Sequence, residues 1–170
     1  MDKQSKNTGM SPQYLMLWLG YLGLAPFIIP VVEMIRASLS PLGFSSASIG
    51  GLYAPYIFIT YSAVILSFLA GLLWQKSRSS TSAQQRRVIL VFSNLVALSG
   101  WSSLLIMYFS VLGTLMSLSL LICGFMLTLL AERAIEKDIV DDSYWNMRIT
   151  LTLIVIALHA LCLMLMIKDL

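Results

Sequence analysis

The longest stretch without a charged residue, Val88–Ala131, covers 44 residues and limits the fold more than any other feature of the chain. As a single helix it would be about 66 Å long, roughly twice the hydrocarbon thickness of a bilayer. The stretch therefore predicts two membrane spans. Ser110, Gly113 and Thr114 provide the best turn between them.

The remaining chain has the same apolar character. Hydrophobic residues make up 58% and charged residues 11%, whereas a soluble domain carries about 25% charged residues. We predict an all-α, polytopic membrane protein, a bundle of five transmembrane helices. A polar cytoplasmic tail, residues 1–13, precedes a single domain, residues 14–170, whose predicted spans are residues 14–36, 54–74, 88–109, 114–131 and 149–167.

Basic residues near the ends of the spans predict the orientation. Nine of them fall in the tail and in the loops after the second and fourth spans: Lys3, Lys6, Lys76, Arg78, Arg86, Arg87, Arg133, Lys137 and Arg148. The other side holds Arg36 and Lys168. We therefore expect the N-terminus to be cytoplasmic and the C-terminus outside. Trp74, Trp145 and Arg148 are expected to anchor helices at the headgroup level.

Small residues indicate where helices pack. Ala63, Ser67 and Gly71 recur every four residues in the second span, and Gly124 lies in the fourth. In lipid, small side chains let helices approach closely, so we expect these residues to face neighbouring helices. In the first span, Pro26 and Pro30 predict a bend in its second half. The bend is either a hinge or cavity lining, or a static kink.

Four polar residues are candidates for a functional site. Glu33 and Arg36 are three residues apart, so they either mark such a site or form a local ion pair. Asn94 is the one amide in the long apolar run, and we expect it to hydrogen-bond another helix. His159 is either a metal or haem ligand or a hydrogen-bonded histidine of the bundle.

No metal, catalytic group or cofactor is predicted. Cys123 and Cys162 lie in apolar runs without metal-ligand spacing, and no acid, base and nucleophile converge in the sequence. The segment Glu132–Arg148 carries five acids and three bases. It is either a docking surface for a partner or a solvated charged hairpin.

Five segments carry a family resemblance: LGLAPF from Leu22, YSAVILSFLAGLLW from Tyr61, SNLVALSGW from Ser93, GF at Gly124 and YWNMRITLT from Tyr144. Together they resemble the domain-of-unknown-function 3429 family of small membrane proteins, which includes the mitochondrial transmembrane protein 69. The resemblance implies the five-span fold and no established activity. Since the short tail is unlike a transit peptide, we expect a multi-pass protein of a bacterial inner membrane.

Two functions fit these features. The first is a non-catalytic accessory or assembly subunit of a larger inner-membrane complex, favoured by short loops and small-residue packing faces. The alternative is a small transporter or lipid-handling protein with a cavity beside the kinked first helix. The expected partners are membrane lipids and either another membrane protein or further copies of the chain. Nucleic acid is not expected.

Overall fold

The computed structural model describes residues 12–78, 82–135 and 142–169. Residues 1–11 of the predicted tail, and residues 136–141 of the predicted charged hairpin, lie outside the described residues. The described helices are α1 (Pro12–Leu22), α2 (Ala25–Ser38), α3 (Ala54–Ser77), α4 (Ala83–Ile106), α5 (Val111–Ile135) and α6 (Asp142–Lys168). A 3₁₀ helix, Phe44–Ser46, and a short antiparallel hairpin, β1 (Ser48–Ile49) and β2 (Leu52–Tyr53), join α2 to α3.

Among the described residues, five helices are long and apolar enough to cross a membrane when α1 and α2 are taken together as one. Large apolar side chains cover the outside of the bundle, and Phe68, for example, is 63% exposed. Such a surface is solvated by lipid chains rather than by water. The predicted five-helix transmembrane fold is confirmed, and the chain is a multi-pass membrane protein.

The first span is broken between Leu22 and Ala25, where α1 ends and α2 begins. Pro26 has no N–H to donate to the carbonyl of Leu22, and its ring crowds that carbonyl. The N–H of Phe27 bonds to the carbonyl of Leu24 at 3.0 Å. The Tyr61 hydroxyl of α3 donates to the carbonyl of Gly23 at 3.0 Å. A neighbouring helix thus satisfies a carbonyl at the break.

Helix α3 is central, since it packs against α2, α4 and α5, while α6 packs against α2 and α5. Two glycines set the closest approaches to α3. A Cβ at Gly100 would lie 3.3 Å from both the carbonyl oxygen of Ala63 and the Oγ of Ser67. A Cβ at Gly124 would lie 2.5 Å from Cδ2 of Leu66, which is fully buried. Ala63 and Gly124 are therefore buried where helices meet, and the exposed Ser67 contacts Gly100 through its hydroxyl.

Gly71 requires a correction. It was predicted to pack against another helix, but it is exposed. A Cβ added there would meet no neighbouring atom of the described chain within 4 Å. The spacing of four residues placed Gly71 in line with Ala63 and Ser67, but four residues turn a helix by about 400°. The row therefore winds around α3, and by Gly71 it has left the surface that faces α4.

Helices α4 and α5 are joined by a tight turn at residues 107–110. Side chains close it: the Thr114 hydroxyl donates to the carbonyl of Met107 at 3.1 Å, and the Ser117 hydroxyl donates to the carbonyl of Ser103 at 2.8 Å. Met107 follows the last residue of α4, where carbonyls lack a partner within the helix, whereas the carbonyl of Ser103 also accepts from the N–H of Met107 at 3.2 Å. The turn can therefore lie at the membrane surface with its buried carbonyls satisfied.

Candidate functional site

A cavity of about 570 Å³ lies beside the break in the first span. Its volume is within the range of pockets that hold small molecules. The walls are mostly apolar side chains of α1, α2, α3, α5 and α6: Leu15, Met16, Leu19, Gly20, Gly23, Leu24, Phe27, Ile65, Phe68, Leu69, Leu72, Phe125, Tyr144, Met147, Arg148, Leu151, Thr152 and Val155. Along α6 the lining extends from Tyr144 to Val155, which is about 16 Å of helix.

The cavity borders the lipid-facing surface of the bundle. Leu15, Leu19 and Phe68 line it, and each is also about half exposed or more. Helix α1 meets α6 closely at Gly20, where a Cβ would lie 3.2 Å from Cδ1 of Leu151. The cavity thus lies between α1 and the bundle, and its residues on α1 also touch the surrounding membrane.

Four polar side chains form a cluster at one end of the cavity. The carboxylate of Glu132 is 3% exposed; it accepts hydrogen bonds from Lys76 Nζ at 2.6 Å and Arg148 Nε at 2.8 Å. The Tyr144 hydroxyl donates to the same carboxylate at 3.1 Å. We call Lys76, Glu132, Tyr144 and Arg148 the Glu132 cluster. A buried charge with its partner removed is costly, so these residues hold the ends of α3, α5 and α6 together.

Arg148 connects the Glu132 cluster to the cavity. Its Nη1 donates to the hydroxyl of Thr152 at 3.3 Å, and both residues line the cavity. Arg148 is 8% exposed. It was predicted to anchor α6 at the headgroup level; its guanidinium is buried in the bundle, where it bonds to the carboxylate of Glu132.

A second hollow, of about 530 Å³, adjoins the cavity. It is lined by Leu72, Gln75, Lys76 and Arg78 at the end of α3. Leu72 lines both hollows. The second hollow borders the basic side chains of Lys76 and Arg78, so the two spaces lead from an apolar interior to positively charged side chains. We call the second space the basic hollow.

His159 lies beyond the opposite end of the cavity, enclosed by aromatic rings. Its ring centroid is 4.6 Å from that of Phe58, 5.5 Å from Phe125 and 6.2 Å from Phe27. Nδ1 is 2.8 Å from the carbonyl oxygen of Val155, and Nε2 has no partner among the residues that the structure describes. Because a carbonyl only accepts, Nδ1 donates this bond, and Nε2 of the neutral ring is an acceptor.

His159 shows no surroundings typical of a metal ligand. Within the described ranges, no three residues of the types His, Cys, Asp and Glu lie close enough to hold a metal ion. Cys162 is buried and Cys123 is exposed on the outside of α5. The aromatic rings around His159 supply no further ligand, so the described residues present it as part of the packed core.

The other predicted polar residues lie away from the cavity lining. Glu33 and Arg36 form an ion pair at 3.4 Å, with the Arg36 side chain 76% exposed, as the local-pair interpretation predicted. Asn94 is exposed, and its amide donates to the carbonyl of Leu90 in its own helix at 2.7 Å. The expected bond from Asn94 to another helix is wrong for the described chain, because α4 turns this side chain outward.

The two tryptophan anchors lie near the Glu132 cluster. Trp74 is 48% exposed at the end of α3. Trp145 is half-buried, and the Arg133 guanidinium lies 5.1 Å from the centre of its ring. Both are at the end of the bundle that carries Lys76 and Arg78, which is the arrangement expected for aromatic residues at a membrane interface.

The spacing of polar residues along α6 indicates the site, although a count of charged residues does not. Tyr144, Arg148 and Thr152 recur every four residues, and Val155 and His159 continue the same face of α6. Polar residues on one face of a membrane helix point to the bundle interior. The spacing could have predicted that Arg148 is internal. It could not have identified Glu132 and Lys76 as the partners.

Comparison with known protein families identifies a family for this chain. A model of the family described as "Protein of unknown function (DUF3429)" matches residues 12–164. The matched range includes the cavity lining and the Glu132 cluster. No curated protein and no solved structure matches the chain.

Proposed function

The chain belongs to the DUF3429 family of proteins of unknown function, and from its cavity we propose that it binds a membrane lipid. In this proposal one apolar chain of the lipid occupies the cavity beside the broken first helix, with its polar end toward the Glu132 cluster. This is the lipid-handling alternative of the sequence analysis. We propose binding without catalysis, because Tyr144, Arg148 and Thr152 are the polar side chains that the described residues contribute to the cavity lining.

The observation that carries the proposal is the shape and lining of the cavity. A volume of about 570 Å³ lined mainly by Leu, Ile, Met and Phe side chains favours an apolar occupant, since a polar one would lose its hydrogen bonds with water. About 16 Å of lining along α6 is about half of the hydrocarbon thickness. A lipid chain can enter from the membrane between α1 and α3, where Leu19 and Phe68 are exposed.

The orientation and the location of the protein are part of the same proposal. The ends of α3 and α5 that carry Lys76, Arg78 and Arg133 share one end of the bundle, and an excess of basic residues favours the cytoplasmic side. We therefore place the polar end of the cavity in the cytoplasmic leaflet of a bacterial inner membrane. A role as accessory subunit of a larger complex stays a prediction, to be checked by identifying proteins that copurify with the chain.

Photo-crosslinking tests the lipid proposal directly. The protein is reconstituted with a phosphatidylcholine that carries a diazirine in its acyl chain, and labelled peptides are mapped by mass spectrometry after illumination. We expect labels on cavity residues of α1, α3 and α6. Ile65→Trp places a large ring at a half-buried lining position and should abolish labelling of the cavity.

Val64→Trp is the matched control. Val64 is the preceding residue of α3, is 58% exposed and does not line the cavity. The Val64→Trp variant should fold and accumulate in the membrane as the Ile65→Trp variant does. Its cavity should be labelled to the same extent as that of the unmodified protein. Labels spread evenly over the outer surface, or equal labelling of the cavity in both variants, would contradict the proposal.

A further inference from the structure

We infer that the end of the bundle opposite the Glu132 cluster carries a surface that inserts into the membrane interface, with the lipid of the adjoining leaflet as its partner. The surface is formed by the loop that joins α2 to α3 and by the turn between α4 and α5. Five large apolar or aromatic side chains are exposed there, and we call them the apolar cap: Leu39, Leu42, Leu52, Tyr108 and Phe109. Their exposed fractions run from 65% to 83%.

The sequence provides no charge along this loop. Residues 37–75, from the end of α2 through most of α3, contain no Asp, Glu, Lys, Arg or His. The turn between α4 and α5 lies in the second uncharged run, Val88–Ala131. A surface that faces water normally carries charged residues of both signs, whereas exposed apolar patches mark sites for a membrane or a protein. The apolar cap is therefore suited to a partner that is less polar than water.

The length of α3 places the apolar cap at the depth of the lipid headgroups. From Lys76 to Ala54, where the hairpin joins it, α3 rises about 33 Å. The hydrocarbon of a bilayer is about 30 Å thick, and about 40–45 Å with both headgroup layers. When Lys76 lies at one edge of the hydrocarbon, Ala54 lies about 3 Å beyond the other edge. The hairpin that carries Leu52 therefore begins within the headgroup layer.

A row of aromatic rings runs across the bundle at the same depth. The ring centroid of Tyr53 is 6.3 Å from that of Phe44 and 5.2 Å from that of Tyr56. The ring of Tyr56 is in turn 5.1 Å from that of Tyr108. Tyrosine is enriched at membrane interfaces, because its ring is apolar and its hydroxyl is polar. Three tyrosines in one row favour lipid as the neighbour of the apolar cap.

The end of α6 marks the headgroup level independently. Helix α6 ends at Lys168, and a Cβ at Gly43 would lie 3.7 Å from Oδ1 of Asp169. The loop between α2 and α3 is therefore level with the end of α6. Lysine side chains near the ends of membrane helices extend to the interface, so the loop lies at that level too.

The backbone of the loop is hydrogen-bonded within itself, as contact with lipid requires. Four N–H groups donate to the carbonyl three residues earlier, at 3.0 to 3.2 Å: those of Ser40, Gly43, Ser46 and Ala47. The hydroxyls of Ser40 and Ser46 also donate to the carbonyls of Ala37 and Gly43. The loop can therefore lie in the interface with these polar groups satisfied.

Fluorescence quenching at single labelled cysteines tests the inference. The two native cysteines are replaced by alanine, and an environment-sensitive dye is attached to one new cysteine in each variant: Leu42→Cys, Leu52→Cys and Phe109→Cys. All three side chains are exposed, so the substitutions remove no buried packing. In phosphatidylcholine vesicles, we expect lipid brominated in its acyl chains to quench these dyes strongly and aqueous iodide to quench them weakly.

Two variants of the same background provide the reference values. Val64→Cys places the dye on the lipid-facing side of α3, at a residue that is 58% exposed, and should be quenched by brominated lipid. Ser45→Cys is the matched control from the loop itself, since Ser45 is polar and exposed beside the buried Phe44. Its dye should be quenched by iodide.

The pattern of quenching decides between lipid, water and protein as the neighbour. Dyes in the apolar cap that follow Val64→Cys, while Ser45→Cys stays open to iodide, would support insertion. Iodide quenching in the cap as strong as at Ser45→Cys would show a surface in water and overturn the inference. Cap dyes open to iodide in vesicles but protected from it in native membranes would show a protein partner, and would also overturn it.

Discussion

Replacing Gly124 with alanine tests the close packing of α3 and α5. The new Cβ would lie 2.5 Å from Cδ2 and 3.3 Å from Cδ1 of Leu66. Leu66 is fully buried, so its side chain has no open space to move into. Overpacking of this kind costs about 1–3 kcal/mol, and we expect the free energy of unfolding of Gly124→Ala to lie below that of a glycine-to-alanine change without the contact by that amount.

Gly71→Ala is the matched control. Gly71 lies in the interior of α3, as Gly124 lies in α5, so both changes share the gain in helix propensity, up to about 1 kcal/mol. A Cβ at Gly71 meets no neighbouring atom of the described chain within 4 Å. Gly71→Ala should therefore raise the free energy of unfolding by up to about 1 kcal/mol, the gain in helix propensity alone. The difference between the two variants measures the contact with Leu66.

Unfolding of the purified protein in mixed micelles with increasing dodecyl sulfate provides the free energies. A double-mutant cycle combines Gly124→Ala with Leu66→Ala. Because the smaller side chain removes the crowding, the cycle should show a favourable coupling of about 1–3 kcal/mol. Equal stability of the two glycine variants, or no coupling with Leu66→Ala, would refute the packing argument.

Two further substitutions are measured in the same assay. Tyr61→Phe should cost about 0.5–1.5 kcal/mol, because it removes the hydrogen bond to the Gly23 carbonyl and keeps the ring packed on Phe27 at 4.8 Å. An equal loss in Tyr21→Phe, at an exposed tyrosine, would contradict this reason. His159→Leu should raise stability by about 1–3 kcal/mol, since it removes a buried acceptor that has no partner in the described chain. A loss would indicate that Nε2 has a donor partner.

The membrane spans could be predicted from the sequence because their signal is local. A run of 44 uncharged residues has few ways to cross a bilayer, and the turn at residues 107–110 lies beside the Gly113 predicted for it. The ion pair of Glu33 with Arg36 is also local, since three residues along a helix bring two side chains together.

The packing faces could not be predicted with the same certainty. In water, a helix shows which side is buried by its polar and apolar faces. In lipid, both the buried and the exposed sides are apolar, so small residues do not reveal which way a helix is rotated. The sequence therefore could not distinguish Gly124, which faces Leu66, from Gly71, which faces outward, although both were predicted to pack against another helix.

The Glu132 cluster was missed because its members are distant in the sequence. Glu132 is 56 residues from Lys76 and 16 residues from Arg148, and no helical spacing connects them. The count of basic residues assigned Lys76 and Arg148 to the cytoplasmic side, and Glu132 was assigned to the charged segment Glu132–Arg148. Their pairing depends on how α3, α5 and α6 end together, which is a property of the bundle as a whole.

The break in the first span forms part of the wall of the cavity. Gly23, Leu24 and Phe27 cross the break, and all three line the cavity. The carbonyl of Gly23 is satisfied by Tyr61 from α3, so the break is stabilised by the bundle and needs no water. The break before Pro26 therefore lies in the wall of an apolar cavity that ends at Arg148.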